Sequence, residues 1–340
     1  MGSVKDLEVI EAPSKDRPGR GRFHFSDRYS VFDWGEMPDL IEGKGAALCL
    51  MGAYFFERLE EMGMATHYLG VVGEDGTARR LVELEGPADT MEVKLVRVVE
   101  PRPAGDAYDY SAYRTERANF LIPLEIIYRN SLPEGSSVFK RLEEGSVSVE
   151  DLGLERPPMP GERLERPILD VSTKLESTDR YLGWEEARDI AGLSTQELVE
   201  LKEAVMRING LISSVVGSLG LENQDGKVEF AFDEDRRLML VDVLGTPDEC
   251  RFEYRGMPVS KEIARIFYRG TEWSKEVEAA KKADRLGWKG LVRQAPPPLP
   301  ARMRELVSLL YKSCCDGITG KRFFGAPPLE DILAELGKAL

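Results

Sequence analysis

Two stretches place apolar residues at helical spacing. In GKGAALCLMGAYFFERLEEMG, Leu48, Met51, Phe55 and Leu59 predict a helix that stops at Gly63. In the second, Ser194 and Glu197 match a capping box, and Leu198, Leu201, Val205, Ile208, Leu211, Val215 and Leu219 form one apolar face. Other segments read as strands. VKDLEVI and GRGRFHFSDRYSVFDW flank a polar link, and HYLGVV, MEVKLVRVVE and NFLIPLEIIYRN follow. A hairpin is predicted from KVEFAF, DEDRR and LMLVDVL, with its turn centred near residues 235–236. Residues 131–183 are rich in Pro, Gly, Ser and charge and are expected to hold short ordered pieces at most. Residues 260–286 predict another helix with a solvated Lys/Glu face, against which Trp273 and Trp288 pack. RQAPPPLPAR cannot be helical, and the last 40 residues are expected to form a short helical appendage.

Composition narrows the classes. The chain of 340 residues has 46 Lys plus Arg against 60 Asp plus Glu, a formal charge of −14. Phosphate neutralisation along a nucleic acid needs a basic surface, so the charge argues against a general nucleic-acid binder while leaving room for a local basic pocket for a small anion. The four cysteines, Cys49, Cys250, Cys314 and Cys315, show no CxxC spacing, which points to neither a zinc site nor a disulfide framework and suits a reducing compartment. No signal segment and no apolar run of membrane-spanning length is present, so a cytoplasmic protein is expected. His24 and His67, the two histidines, read as structural. There is no GxxxxGK[ST], GxGxxG or GxSxG, which argues against P-loop, dinucleotide-binding and serine-hydrolase chemistry.

Three constellations could carry chemistry. With the turn at 235–236, Glu229 lies opposite Asp242 on one face of the hairpin. Opposed carboxylates repel, so the pair either holds a hard cation such as Mg2+ or sits on a solvated strand edge. Thr246-Pro247-Asp248 is a turn signal, and Arg251 beyond it is either a bidentate anion ligand or an ordinary surface arginine. Arg129, the Gly135-Ser136-Ser137 turn and Lys140 are the parts of an anion site, or a plain strand-to-helix connection.

Taken in order, SDRYSVFD (26–33), IEGKGAALCLMGAYFFERLEEMGMATHYL (41–69), IPLEIIYRN…GSSVFKRL (122–142), KVEFAFDEDRRLMLVD (227–242) and TPDECR (246–251) resemble the SAICAR synthetase family. The resemblance implies an α+β, two-lobed, ATP-grasp-like fold with nucleotide bound between the lobes. It implies an N-terminal lobe over 1–95 with a phosphate loop, a C-terminal lobe over 96–290, and a Pro-rich linker and helical tail over 291–340. The implied activity joins carboxyaminoimidazole ribonucleotide to L-aspartate at the expense of ATP, with Mg2+. By resemblance, Gly2, Ser3, Val4 and Lys5 form the phosphate loop, and Glu229 and Asp242 carry the metal and nucleotide. Arg129, Ser136 and Arg251 hold the imidazole nucleotide's phosphate, and Lys44 and Asp179 are further implied substrate-binding residues. Lys5, Lys227 and Asp248 are the implied catalytic residues, and Lys174 matches a lysine near the nucleotide. Ser3 stands where the family usually has a lysine, and Val243 where it has an acid. The alternatives on this fold are a ligase for another carboxylate and amine, or a nucleotide-binding paralogue without catalysis. Small-molecule partners and a homo-oligomer complete the implications, with no membrane or nucleic-acid partner.

Overall fold

Two antiparallel sheets organise the chain in a computed structural model that describes residues 4–105, 107–284 and 287–339. Strands β1 (Lys5–Glu11) and β2 (Gly19–Phe25) form where predicted and pair antiparallel, but the segment after Phe25 leaves the sheet and loops through residues 26–40. Its apolar residues Tyr29, Val31 and Met37 are buried as anchors of that loop, which is why the sequence looked like a longer strand. Helix α1 (Lys44–Glu61) follows, then β3 (Tyr68–Val72), β4 (Ala78–Arg79) and β5 (Thr90–Leu95), giving the order β1-β2-β5-β3-β4. Gly63, with φ +79°, closes the first helix as expected. A two-stranded ribbon, β6 (Arg102–Ala104) and β7 (Ala107–Asp109), leads on to the second sheet.

The second sheet is built on β8 (Phe120–Leu132), followed by α2 (Ser137–Glu143) and β9 (Glu162–Thr173). The segment expected to hold only short pieces therefore supplies a 12-residue strand. Alternation in β9 is masked because its first half is largely exposed and charged while Ile168–Thr173 is mostly buried, so no single period runs through it. Helices α3 (Trp184–Ala191) and α4 (Thr195–Gly217) come next, the latter with the Ser194–Glu197 capping box in place. Strands β10 (Glu222–Phe232), β11 (Leu238–Val241), β12 (Cys250–Tyr254) and β13 (Met257–Val259) complete the order β13-β12-β10-β8-β9, with β11 on β10.

The expected helix over 260–286 is two helices, α5 (Glu262–Arg269) and α6 (Glu272–Ala283), broken at Gly270-Thr271, where Thr271 caps the second. Trp273 is buried against Trp34 in an edge-to-face contact, and Trp34 also touches Trp288. Helices α7 (Ala301–Thr319) and α8 (Leu329–Ala339) end the chain. Rather than forming an appendage, α7 buries Leu310, Tyr311, Cys314 and Cys315 and packs on α1. Its Ser308 donates to the Glu42 carbonyl at 2.6 Å. The sheets meet where Leu240 of β11 exchanges backbone hydrogen bonds with Ala65 and His67 ahead of β3. No helix among the described residues is long and apolar enough to cross a membrane.

Candidate active site

The site begins with β10, whose neighbours are β8 on one side and β11 and β12 on the other. Glu229 pairs with Glu125 of β8 and with Val241 of β11. The hairpin register is thus one residue away from the expected Glu229–Asp242 opposition, because the turn spans Asp233–Arg237, closed by the Asp233 N–H on the Arg237 carbonyl. A one-residue slip should send Asp242 to the other face. It does not, because Asp242 lies just past the ladder with φ +64°, a left-handed conformation that Asp tolerates better than most residues. Asp242 and Glu229 consequently line the same cavity, of about 330 Å³, with Val4, Lys5, Lys174 and Lys227.

Charge balance explains how a buried Glu229 and a partly exposed Asp242 coexist there. Lys174 donates to Glu229 at 2.6 Å, and Lys5 donates to Asp242. Lys227 donates to Glu125 at 3.0 Å and lies 3.6 Å from both Glu229 and Glu249. Burial and the Asp242 charge push Glu229 up, above the ordinary carboxylate range. Burial works against the Asp242 charge too, but Lys5, Lys174 and Lys227 outweigh it and hold the carboxyl low. For Lys227, burial opposes the charge and the surrounding carboxylates of Glu249, Glu125 and Glu229 overcome it, raising its pKa. His67 supports this end of the site. Wedged against Phe23 and Phe56, it donates from Nε2 to the Asp242 carbonyl at 3.0 Å. Burial pulls its pKa down to about 4, so it stays a neutral donor and fixes the strained residue.

An adjoining cavity of about 350 Å³ holds the second cluster. Asp225 of β10 faces Arg129 of β8 and Arg251 of β12 in register, so one buried carboxylate sits between two guanidiniums at 3.5 and 3.1 Å. Arg129 also donates to Asp170 at 3.0 Å, and Arg141 donates to both oxygens of the same carboxylate. Ser136 is not the hydroxyl presented to this cavity: its Oγ accepts from the Val138 N–H as the cap of α2. Ser137 lines the cavity, accepts from Arg129 at 3.3 Å and donates to Tyr181 at 2.8 Å. Lys140 points outward to Glu144, and Arg141 takes its expected place in the cluster. Asp179 lines the same cavity, and burial followed by the Glu125 charge raises its carboxyl.

Asp248, Glu249, Lys227 and Lys261 line both cavities and so form the wall they share. Asp248 is placed by the 246–250 turn, which Gly245 makes possible. At φ +71°, a Cβ there would stand 2.2 Å from the Phe55 ring, so only glycine fits. Lys44 is not in either cavity. It is fully buried behind Asp248 and donates to it at 2.7 Å. The carboxylate of Asp27 holds Lys44 in place by accepting from the N–H groups of Gly43 and Gly45 at the start of α1. Of the expected phosphate loop, Gly2 and Ser3 lie outside the described residues, while the Val4 carbonyl accepts from Ser26. Asp225, Asp170, Arg141, Glu125 and His67 are site residues that sequence reasoning missed. The one available signal was the alternation of Asp225, Lys227 and Glu229 on a single face of β10.

Carboxylates and ammonium groups at one end of a cleft, and paired guanidiniums at the other, define a protein that handles phosphorylated, acidic small molecules. The SAICAR synthetase family model matches residues 11–280, and the chain belongs to that family. A protein of Archaeoglobus fulgidus, provisionally named phosphoribosylaminoimidazole-succinocarboxamide synthase, is 54% identical over 340 residues, covering 100% of both chains. Among solved structures, the Saccharomyces cerevisiae SAICAR synthase complexed with SAICAR matches with a TM-score of 0.65 at 20% identity, over 95% of each chain. A SAICAR synthetase (Type-2) in complex with ADP matches with a TM-score of 0.59 at 20% identity, over 96% of this chain and 98% of that one. These likenesses establish the ATP-grasp-like α+β fold expected from the sequence.

Proposed function

We propose that the chain joins carboxyaminoimidazole ribonucleotide to L-aspartate with ATP, giving SAICAR, in the cytoplasm. The observation that carries the reading is the shared wall. A phosphate-handling cluster and a guanidinium pair meet at Asp248, Glu249, Lys227 and Lys261, where two substrates must exchange a phosphoryl group. The full-length identity to a synthase of this name favours this reaction over a ligase for other substrates or a paralogue without catalysis.

The chemistry has two steps. The imidazole carboxylate oxygen attacks the γ-phosphorus of ATP, ADP leaves, and an acyl phosphate forms. The aspartate amine then attacks the acyl carbon, phosphate departs with the C–O bond electrons, and the amine loses a proton. Such transfers need positioning and charge neutralisation rather than a protein nucleophile. Lys5, with Gly2, Ser3 and Val4, is assigned to the ATP phosphates, and Lys174 and Lys227 to the charge that develops between donor and acceptor. Arg129 and Arg251, steadied by Asp225, are assigned to the 5′-phosphate, together with Ser137. Asp179 is assigned to the aspartate amine, and Asp248 to the imidazole nucleotide.

Among the described residues no group of three or more His, Cys, Asp or Glu side chains converges as a metal cage. Glu229 and Asp242 nevertheless suit Mg2+, which is commonly held by one or two carboxylates plus substrate phosphates. Mg2+ held there would neutralise phosphate charge and would leave Lys5 and Lys174, paired to those carboxylates, available to the nucleotide.

The direct test is ADP release with Mg-ATP, carboxyaminoimidazole ribonucleotide and L-aspartate, against controls lacking each. Release that depends on both co-substrates is expected; release indifferent to the imidazole nucleotide would sink the reading. In the same assay Arg251→Ala should raise KM for the imidazole nucleotide by roughly 10–100-fold, the worth of a charge-assisted hydrogen bond. KM for ATP should stay within about twofold, because Arg251 lines the second cavity and not the first.

A further inference from the structure

Helix α7 lies beyond the residues matched to the family, yet one of its atoms touches a residue that lines the cleft. The Tyr311 hydroxyl donates to Asp248 Oδ1 at 2.6 Å. Lys44 takes the other oxygen, Oδ2, at 2.7 Å, and its Nζ lies 5.4 Å from the centre of the Tyr311 ring. Lys44 and Tyr311 are almost wholly buried, at 0% and 1% exposure, so neither approaches a ligand in the cleft. Asp248 is the one member of the triangle that lines the cavities. Its carboxylate is therefore clamped from behind, one donor on each oxygen. A carboxylate has about four lone-pair sites, so one on each oxygen is left for a donor in the cleft.

We infer that Tyr311 is a positioning residue for the ligase reaction: its hydroxyl fixes the rotation of the Asp248 carboxylate so that the free lone pairs face the imidazole nucleotide. Lys44 alone does not do this. A single ammonium restrains one oxygen but leaves the carboxylate free to turn about that contact, whereas a second donor on the other oxygen, carried by a rigid ring, removes that rotation. Tyr311 stays protonated because burial first, and the Asp248 charge second, raise its pKa well above the usual phenol value. It is thus a fixed donor across the working range of pH. The site is then completed from α7.

The inference rests on the assignment of Asp248 to the imidazole nucleotide, and its test separates the two. Tyr311→Phe removes one oxygen and keeps the ring. It should lower kcat/KM for the imidazole nucleotide by about 10–100-fold, with KM for ATP within about twofold. Leu310→Ala, at a fully buried neighbour on the same helix, is the control for a merely structural role. It should lower the melting temperature more than Tyr311→Phe does and leave kcat/KM for the imidazole nucleotide near that of the wild type. Wild-type constants in Tyr311→Phe overturn the inference, as does the same selective loss in Leu310→Ala. A wild-type protein that turns nothing over in this assay overturns the assigned reaction and, with it, the role of Tyr311.

Discussion

Asp242→Asn is expected to cut ATP turnover by at least about a hundredfold, the order of loss seen when one preorganised electrostatic contact to developing charge is removed. The choice of asparagine matters. At φ +64°, Asp242 occupies backbone space that most side chains enter only with strain, and Asn is the other non-glycine residue that enters it readily. The substitution keeps the shape, the backbone and the His67 bond to the residue-242 carbonyl. What changes is charge: Lys5 loses its anionic partner, and Glu229 is left as the lone carboxylate of the proposed metal pair. The variant should therefore melt near the wild-type temperature and still bind the imidazole nucleotide, yet release little ADP at saturating Mg-ATP. Steady-state ADP assays with a parallel melting curve decide it. Turnover within twofold of wild type would remove Asp242 from the site.

Lys44→Met should produce the largest loss of stability. Methionine preserves most of the buried stem but removes the ammonium that faces Asp248 at 2.7 Å. Breaking a buried ion pair by deleting one partner costs about 3–5 kcal/mol, because the remaining charge is buried without compensation. The pH dependence supplies a second check. In the wild type, burial opposes the Asp248 charge, and Lys44, with Lys261 and the Tyr311 bond, more than offsets it, so the folded carboxyl sits below its ordinary value. A depressed carboxyl contributes stability above the unfolded pKa of about 3.9 and loses it as pH falls through that value toward the folded one. In Lys44→Met the sign reverses: without the ammonium, burial raises the carboxyl, and the variant gains stability as Asp248 takes up a proton. The gap between the two proteins should therefore be widest near neutral pH and shrink toward pH 4. Urea denaturation at both pH values measures it, and a gap that is constant or widens toward acid would refute the pairing.

Local signals carried well into the structure where local forces decide the outcome. The capping box at Ser194, the stop at Gly63 and the turn at Thr246-Pro247-Asp248 each depend on a few neighbouring residues, and each appears where the pattern puts it. The acidic pair on the hairpin was legible as chemistry but not as geometry. Its register depends on a turn one residue away from the symmetric choice, and its convergence depends on one left-handed residue. The anion cluster was half legible. Arg129 and Arg251 carried a signal, but Asp225, which stands between them, becomes their neighbour only when three strands pair. Ser136 and Ser137 could not be told apart beforehand, since either could cap the helix. The burial of α7 was hidden for the same reason, since its partner α1 lies far away in the sequence, whereas β9 was hidden by its exposed, charged first half.

The packing of α7 on α1 has a consequence for how the protein is made. Helix α1 (Lys44–Glu61) is synthesised well before its cover, α7 (Ala301–Thr319). Until residues 301–319 emerge, Lys44 lacks its Tyr311 neighbour, and the surfaces of Cys49 and Gly43 that face Cys315 and Lys312 stay uncovered. A nascent chain in this condition exposes apolar surface of the kind that holdase chaperones bind. A recombinant fragment cut where the family match ends, at residue 280, would keep that defect permanently. Catalytic competence and release from quality control would then coincide in one event, the docking of α7 on α1.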